Sequence, residues 1–235
     1  MRNLVLAVIV VGVYLGVSTL PGATIHWTTS AVTGPDDVST NRLAIGAMNV
    51  GGNVSATING VEFNADPGGT NFLALGTAAV KFSFDNGANF DAWTAADPGG
   101  NSDYGIALDS ARWDDGGDRT GTVTITGLVI GRQYEAQLWI VDTRADLTNR
   151  VRTVDGTNTT AGGASIATGT FQANSNTQVI TIVGTTGYDE SHGPQLNLFQ
   201  LRDITRPAQT NVVLNTEDDG SGSLRQVIGD SVPGD

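Results

Sequence analysis

Apolar and polar residues alternate with a period of two over many short stretches of this chain, each closed by a turn signal. The clearest runs from Thr120 to Asp142. There Val123 and Ile125 alternate with threonines, and Tyr134, Ala136, Leu138 and Ile140 alternate with Glu135, Gln137, Trp139 and Val141. This pattern predicts two strands joined by a short turn, each with one face buried and one available. Val54–Ile58 and Val61–Phe63 flank Asn59-Gly60, which predicts a two-residue hairpin. Further strands are expected at residues 25–27, 80–84, 104–108, 150–154, 167–173, 178–183 and 195–204. Residues 85–102 and 144–150 read as loops, and no helical periodicity is visible before Ser223. About ten short strands with turns between them predict an all-β fold, an antiparallel β-sandwich or jelly roll.

The two ends differ from this body. Residues 1–23 hold Arg2, an apolar run from Leu4 to Val17 and then small residues, the pattern of a secretory signal peptide and its signal helix. Cleavage after Ser18 and cleavage after Ala23 both fit. The run is short for a membrane span, so no membrane association is expected once it is removed. The body is then 24–205, followed by a short C-terminal extension, 206–235.

Charge changes the picture of partners. Lys and Arg number 12 against 24 Asp and Glu, a net charge of −12, which repels phosphate backbones and argues against nucleic acid. The absence of cysteine excludes disulfides and thiolate metal sites. An exported acidic protein of this composition is expected to be bacterial, secreted or at the cell surface.

Candidate chemistry is sparse. Asp114, Asp115 and Asp118 cluster around two glycines, a composition that fits a solvated turn first and a Ca²⁺ loop as the alternative. On the second face of the central strand, Glu135, Gln137 and Trp139 put an aromatic ring beside hydrogen-bonding groups, with Asp142 and Arg144 just beyond. That is what a sugar platform requires; packing of Trp139 beneath a neighbouring loop or against the other sheet is the favoured alternative. His26 and His192 are the only histidines, and no nucleophile motif or catalytic metal spacing accompanies them. No catalytic residue is nominated.

Two stretches carry resemblances. The succession TGLVIGRQYEAQLWIVDTR, RTVDG, TGTFQANSNTQVITI and LNLFQLRDI resembles galactose-binding-like, carbohydrate-binding-module jelly rolls of large secreted bacterial proteins. The resemblance implies a sandwich and glycan binding, with a polysaccharide or cell-surface glycan as partner, and transfers no ligand residue. The stretch NTEDDGSGSLRQVI (residues 215–228) looks like the opening of right-handed parallel β-helix domains, with Val227 where alanine is usual. It implies an N-terminal cap for a downstream β-helix that would begin near Asp235, and hence a fragment of a longer product or a truncated gene; a free acidic tail is the alternative. Three functions follow as expectations: a non-catalytic glycan- or matrix-binding module, a structural spacer of an adhesin-like protein, or an accessory domain of a polysaccharide lyase or hydrolase.

Overall fold

The alternating stretches form strands, and the computed structural model describes them over residues 22–66, 72–84, 86–89, 97–114, 120–143, 152–159, 163–184, 193–206, 220 and 223–230. In chain order they are β1 (His26–Ala31), β2 (Leu43–Asn49), β3 (Ala56–Ile58), β4 (Val61–Ala65), β5 (Leu73–Leu75), β6 (Ala78–Ser83), β7 (Asn86–Asn89) and β8 (Ser110–Trp113). Then come β9 (Thr120–Thr126), β10 (Gln133–Val141), β11 (Arg152–Val154), β12 (Thr157–Asn158), β13 (Ala164–Gln172), β14 (Thr177–Gly184), β15 (Gln195–Leu196) and β16 (Leu198–Asp203). Two short α-helices, α1 (Ser102–Leu108) and α2 (Leu224–Asp230), and two 3₁₀ turns at Pro35–Asp37 and Pro98–Gly100 complete the described elements.

Among the described residues the larger sheet runs β1-β13-β10-β16-β2-β4-β3 and the facing sheet β12-β11-β14-β9-β6-β5, with a small sheet β15-β8-β7 at one end. All pairs are antiparallel except β2 with β4. Leu138, Ile140, Phe199 and Leu201 from the larger sheet meet Val80, Phe82, Val123, Ile125, Ile180 and Ile182 from the facing one in a single core. Phe82 and Phe199 touch edge to face across it, centroids 5.7 Å apart. Burial of alternate side chains on two sheets makes this an all-β sandwich.

Asn59-Gly60 forms the expected hairpin, with both residues at positive φ (48° and 73°), as a type I′ turn demands. Other expectations are corrected. Strands β9 and β10 are not hairpin partners: β9 pairs with β6 and β14, whereas β10 pairs with β13 and β16. The connection between them is six residues long and crosses between sheets, with buried Leu128 as its plug. The link from β13 to β14 crosses beside it, and the two arches bond through Gly131 N to Ala173 O (2.8 Å) and Leu128 N to Asn176 O (3.1 Å). The apolar faces of β9 and β10 thus meet across the core, not side by side.

Residues 104–108 are helix, not strand. The Asn101 side chain caps α1 by accepting from Tyr104 N at 2.9 Å, and Tyr104, Ala107 and Leu108 are buried while Ile106 faces out. Their i, i+3, i+4 spacing is the helical period, masked in sequence by the apolar Ile106. The stretch expected as loop from 85 to 102 contributes β7.

Candidate functional site

Because β10 is central in the larger sheet, its second face is an outer surface, and register decides what lies beside it. Three rows cross this face. One holds His26, Thr170, Glu135 and Arg202; the next Thr28, Thr168, Gln137 and Gln200; the third Ser30, Ile166, Trp139 and Leu198. The face grades from polar to apolar along the strand.

At the apolar end a third layer covers it. Tyr104 and Leu108 of α1, with Val38, Ile58 and Phe63, close over Trp139 and Leu198. Trp139 is 0% exposed, packs edge to face on Phe63 at 5.5 Å, and donates its indole N–H to the Tyr104 hydroxyl at 2.5 Å. Burial pushes the Tyr104 phenol well above its ordinary range, although this hydrogen bond opposes the shift. Trp139 is therefore a core residue: its ring has no surface left to stack on a sugar, and this corrects the platform expected from the sequence.

Gln137 is likewise spent inside. Its Oε1 accepts from Ser39 N at 2.8 Å, and its Nε2 donates to Asp37 O at 3.1 Å and Thr168 Oγ1 at 3.3 Å. Gln200 Nε2 donates to Ser39 O at 2.7 Å, and Arg202 donates from Nε to Asn41 O (2.6 Å) and from Nη2 to Arg42 O (2.8 Å). These side chains fasten the 32–42 segment across the sheet as a strap.

Glu135 has a different position. It lies beyond the strap, opposite Arg202, and its buried Oε1 has no hydrogen-bond partner; neither has Arg202 Nη1. Burial lowers the Arg202 guanidinium from its ordinary value and the Glu135 charge opposes that shift, so the two sense each other. A groove of about 430 Å³ borders this row, lined in part by His26, Gln133 and Thr170. Glu135 is the member of the expected ligand set that stands in the row bordering this groove. Arg202, Thr170, Gln133 and His26 are additions that only strand register brings to it.

The remaining expected residues lie at the opposite end of β10. Asp142 is 1% exposed and ion-paired with Arg152 at 3.7 Å, and the same guanidinium donates to Gln195 Oε1 at 2.7 Å. Asp114 is also buried; its backbone bonds Pro194 O and Gly193 N at 3.1 and 2.6 Å. A Cβ on Gly193 would stand 2.2 Å from the Asp114 carbonyl, so only glycine permits this approach. Nearby, Asp66 and Arg112 form a buried bidentate pair at 2.7 and 2.9 Å. These buried pairs lie at the end of the sandwich that carries β8 and β15. Arg144, Asp115 and Asp118 lie outside the described residues. Among the described residues no group of three acidic, histidine or cysteine side chains could hold a metal ion, and no helix is long and apolar enough to cross a membrane.

No protein-family model and no curated protein matches the chain. A crystal structure of a β-glucuronidase from Bacteroides uniformis is similar over 68% of this chain and 18% of that one, at 13% identity and a TM-score of 0.37. A likeness of that degree assigns no role to any residue.

Proposed function

We propose that this chain is an exported, non-catalytic module of jelly-roll type that binds glycan or extracellular matrix, within a larger surface protein that continues into a parallel β-helix. The leader pattern of residues 1–23 supports export, and the paired arches between sheets favour jelly-roll connectivity. A cap role for 206–235 is supported by α2, where Ser223 Oγ accepts from Gln226 N at 3.3 Å and Leu224 and Ile228 are exposed.

One observation carries the binding reading: an open groove lined by exposed Gln133, Thr24 and His26 with half-buried Thr170, on the same face and next to Glu135. The amide, hydroxyl and imidazole groups of this lining both donate and accept, as a ligand's hydroxyls require. The test is a glycan array probed with the full chain, with and without Ca²⁺. Binding that weakens about tenfold in Glu135→Ala, a loss near 1.4 kcal/mol, is the expected result. Silence across the array in both conditions would leave the second reading, a structural spacer. That reading is favoured by the internal use of Trp139 and Gln137.

A further inference from the structure

We infer that the groove beside Glu135 takes a neutral polyhydroxyl chain and discriminates against acidic glycans; this rests on the glycan-binding proposal and narrows it to one surface and one ligand class. The groove lies on the outer face of the larger sheet, one row beyond Glu135. Gln133 stands opposite Gln172, and Thr170 opposite both Glu135 and His26. Its volume, about 430 Å³, is within the ~300–1,000 Å³ typical of small-ligand clefts.

The lining fixes the chemistry. On a chain of net charge −12, this groove is bordered by no Asp, Glu, Lys or Arg. Gln133, Thr24 and His26 are exposed there, and Thr170 is half-buried, so the surface offers amide, hydroxyl and imidazole groups that both donate and accept. The Gln172 amide nitrogen is directed to Gly131 O at 2.9 Å. Half-buried Ile204 supplies apolar area for the C–H faces of a sugar.

An acidic ligand would need a cation, and the groove's lining supplies none, because neither Arg132 nor Arg202 borders it. Arg132 pairs with Asp203 at 2.5 Å, and Arg202 holds the strap carbonyls of Asn41 and Arg42. Without a guanidinium fork in the lining to hold a carboxylate, the overall negative field of the chain repels an anion. A hydroxyl suits the lining: it donates to the Gln133 amide oxygen or the Thr170 hydroxyl and accepts from the Gln133 amide N–H.

The test is calorimetric titration of the full chain with neutral oligosaccharides (cello-, xylo-, manno- and malto-oligomers) and with uronate oligomers at physiological salt. A neutral oligomer is expected to bind. The double variant Gln133→Ala, Thr170→Val is expected to bind it about tenfold more weakly, with an unchanged melting temperature confirming that it folds. Uronate binding as strong as neutral binding would overturn the inference. So would neutral binding that the double variant leaves untouched, which would keep the glycan reading and move it to another surface. If no saccharide of either class binds, both the inference and the proposal beneath it fall.

Discussion

At the scale of single residues, the side chains that looked most available are the ones most deeply used. Trp139 alternates correctly with its inward neighbours, yet it is enclosed because α1 adds a third layer that a two-sheet reading does not anticipate. Its truncation should behave as a core deletion: Trp139→Ala is expected to lose about 3–5 kcal/mol in chemical denaturation. A loss below ~0.5 kcal/mol would return the ring to the surface, where substitutions have effects of that size. Asp203 gives a prediction in pH. Burial raises its carboxyl, but hydrogen bonds from Thr205 and from Arg132 outweigh this and hold it below the usual carboxylate range. A depressed group contributes stability above its unfolded value near pH ~4, and that contribution is lost as pH falls through the folded value. The melting temperature of Asp203→Asn should therefore fall less steeply than wild type below about pH 4. Parallel acid limbs would show that this carboxylate is not one of the groups linked to acid unfolding.

At the scale of elements, alternation was enough to place most strands but not to pair them. The β3–β4 hairpin was legible because Asn59-Gly60 states its own turn geometry. Between β9 and β10 no two-residue turn exists, and the same apolar alternation serves a hairpin or a cross-sheet arch equally; buried Leu128 decides it. The seven residues of α1 were hidden because Tyr104, Ile106 and Leu108 mimic a strand while the true buried set is Tyr104, Ala107 and Leu108. The strap was illegible for another reason: it is held by Gln137, Gln200 and Arg202, whose partners are backbone atoms far away in sequence. Gln137→Ala removes three of its hydrogen bonds and leaves Ser39 N without that acceptor. The expected cost is about 1–3 kcal/mol, with faster hydrogen exchange at the Ser39 amide while amides of β9 stay protected. Uniform acceleration across both sheets would mean that the strap has no independent opening.

At the scale of the whole molecule, the larger sheet divides its outer face between two tasks. One end is sealed by α1 and the strap, which completes a second core; the other stays open, polar and nearly uncharged on an acidic protein. The sandwich and the acidic exterior were readable from alternation and composition. The candidate site was readable only as Glu135, because Thr170, Arg202 and His26 come from three other strands and meet it through register alone. The division of that face is the central claim, and amide chemical-shift mapping tests it most directly. Titrating the isotope-labelled chain with the tightest-binding neutral oligosaccharide should perturb Thr24, His26, Gln133, Glu135 and Thr170. Perturbations centred instead on Asp142, Arg152 and Gln195, at the far end of the sandwich, would contradict it.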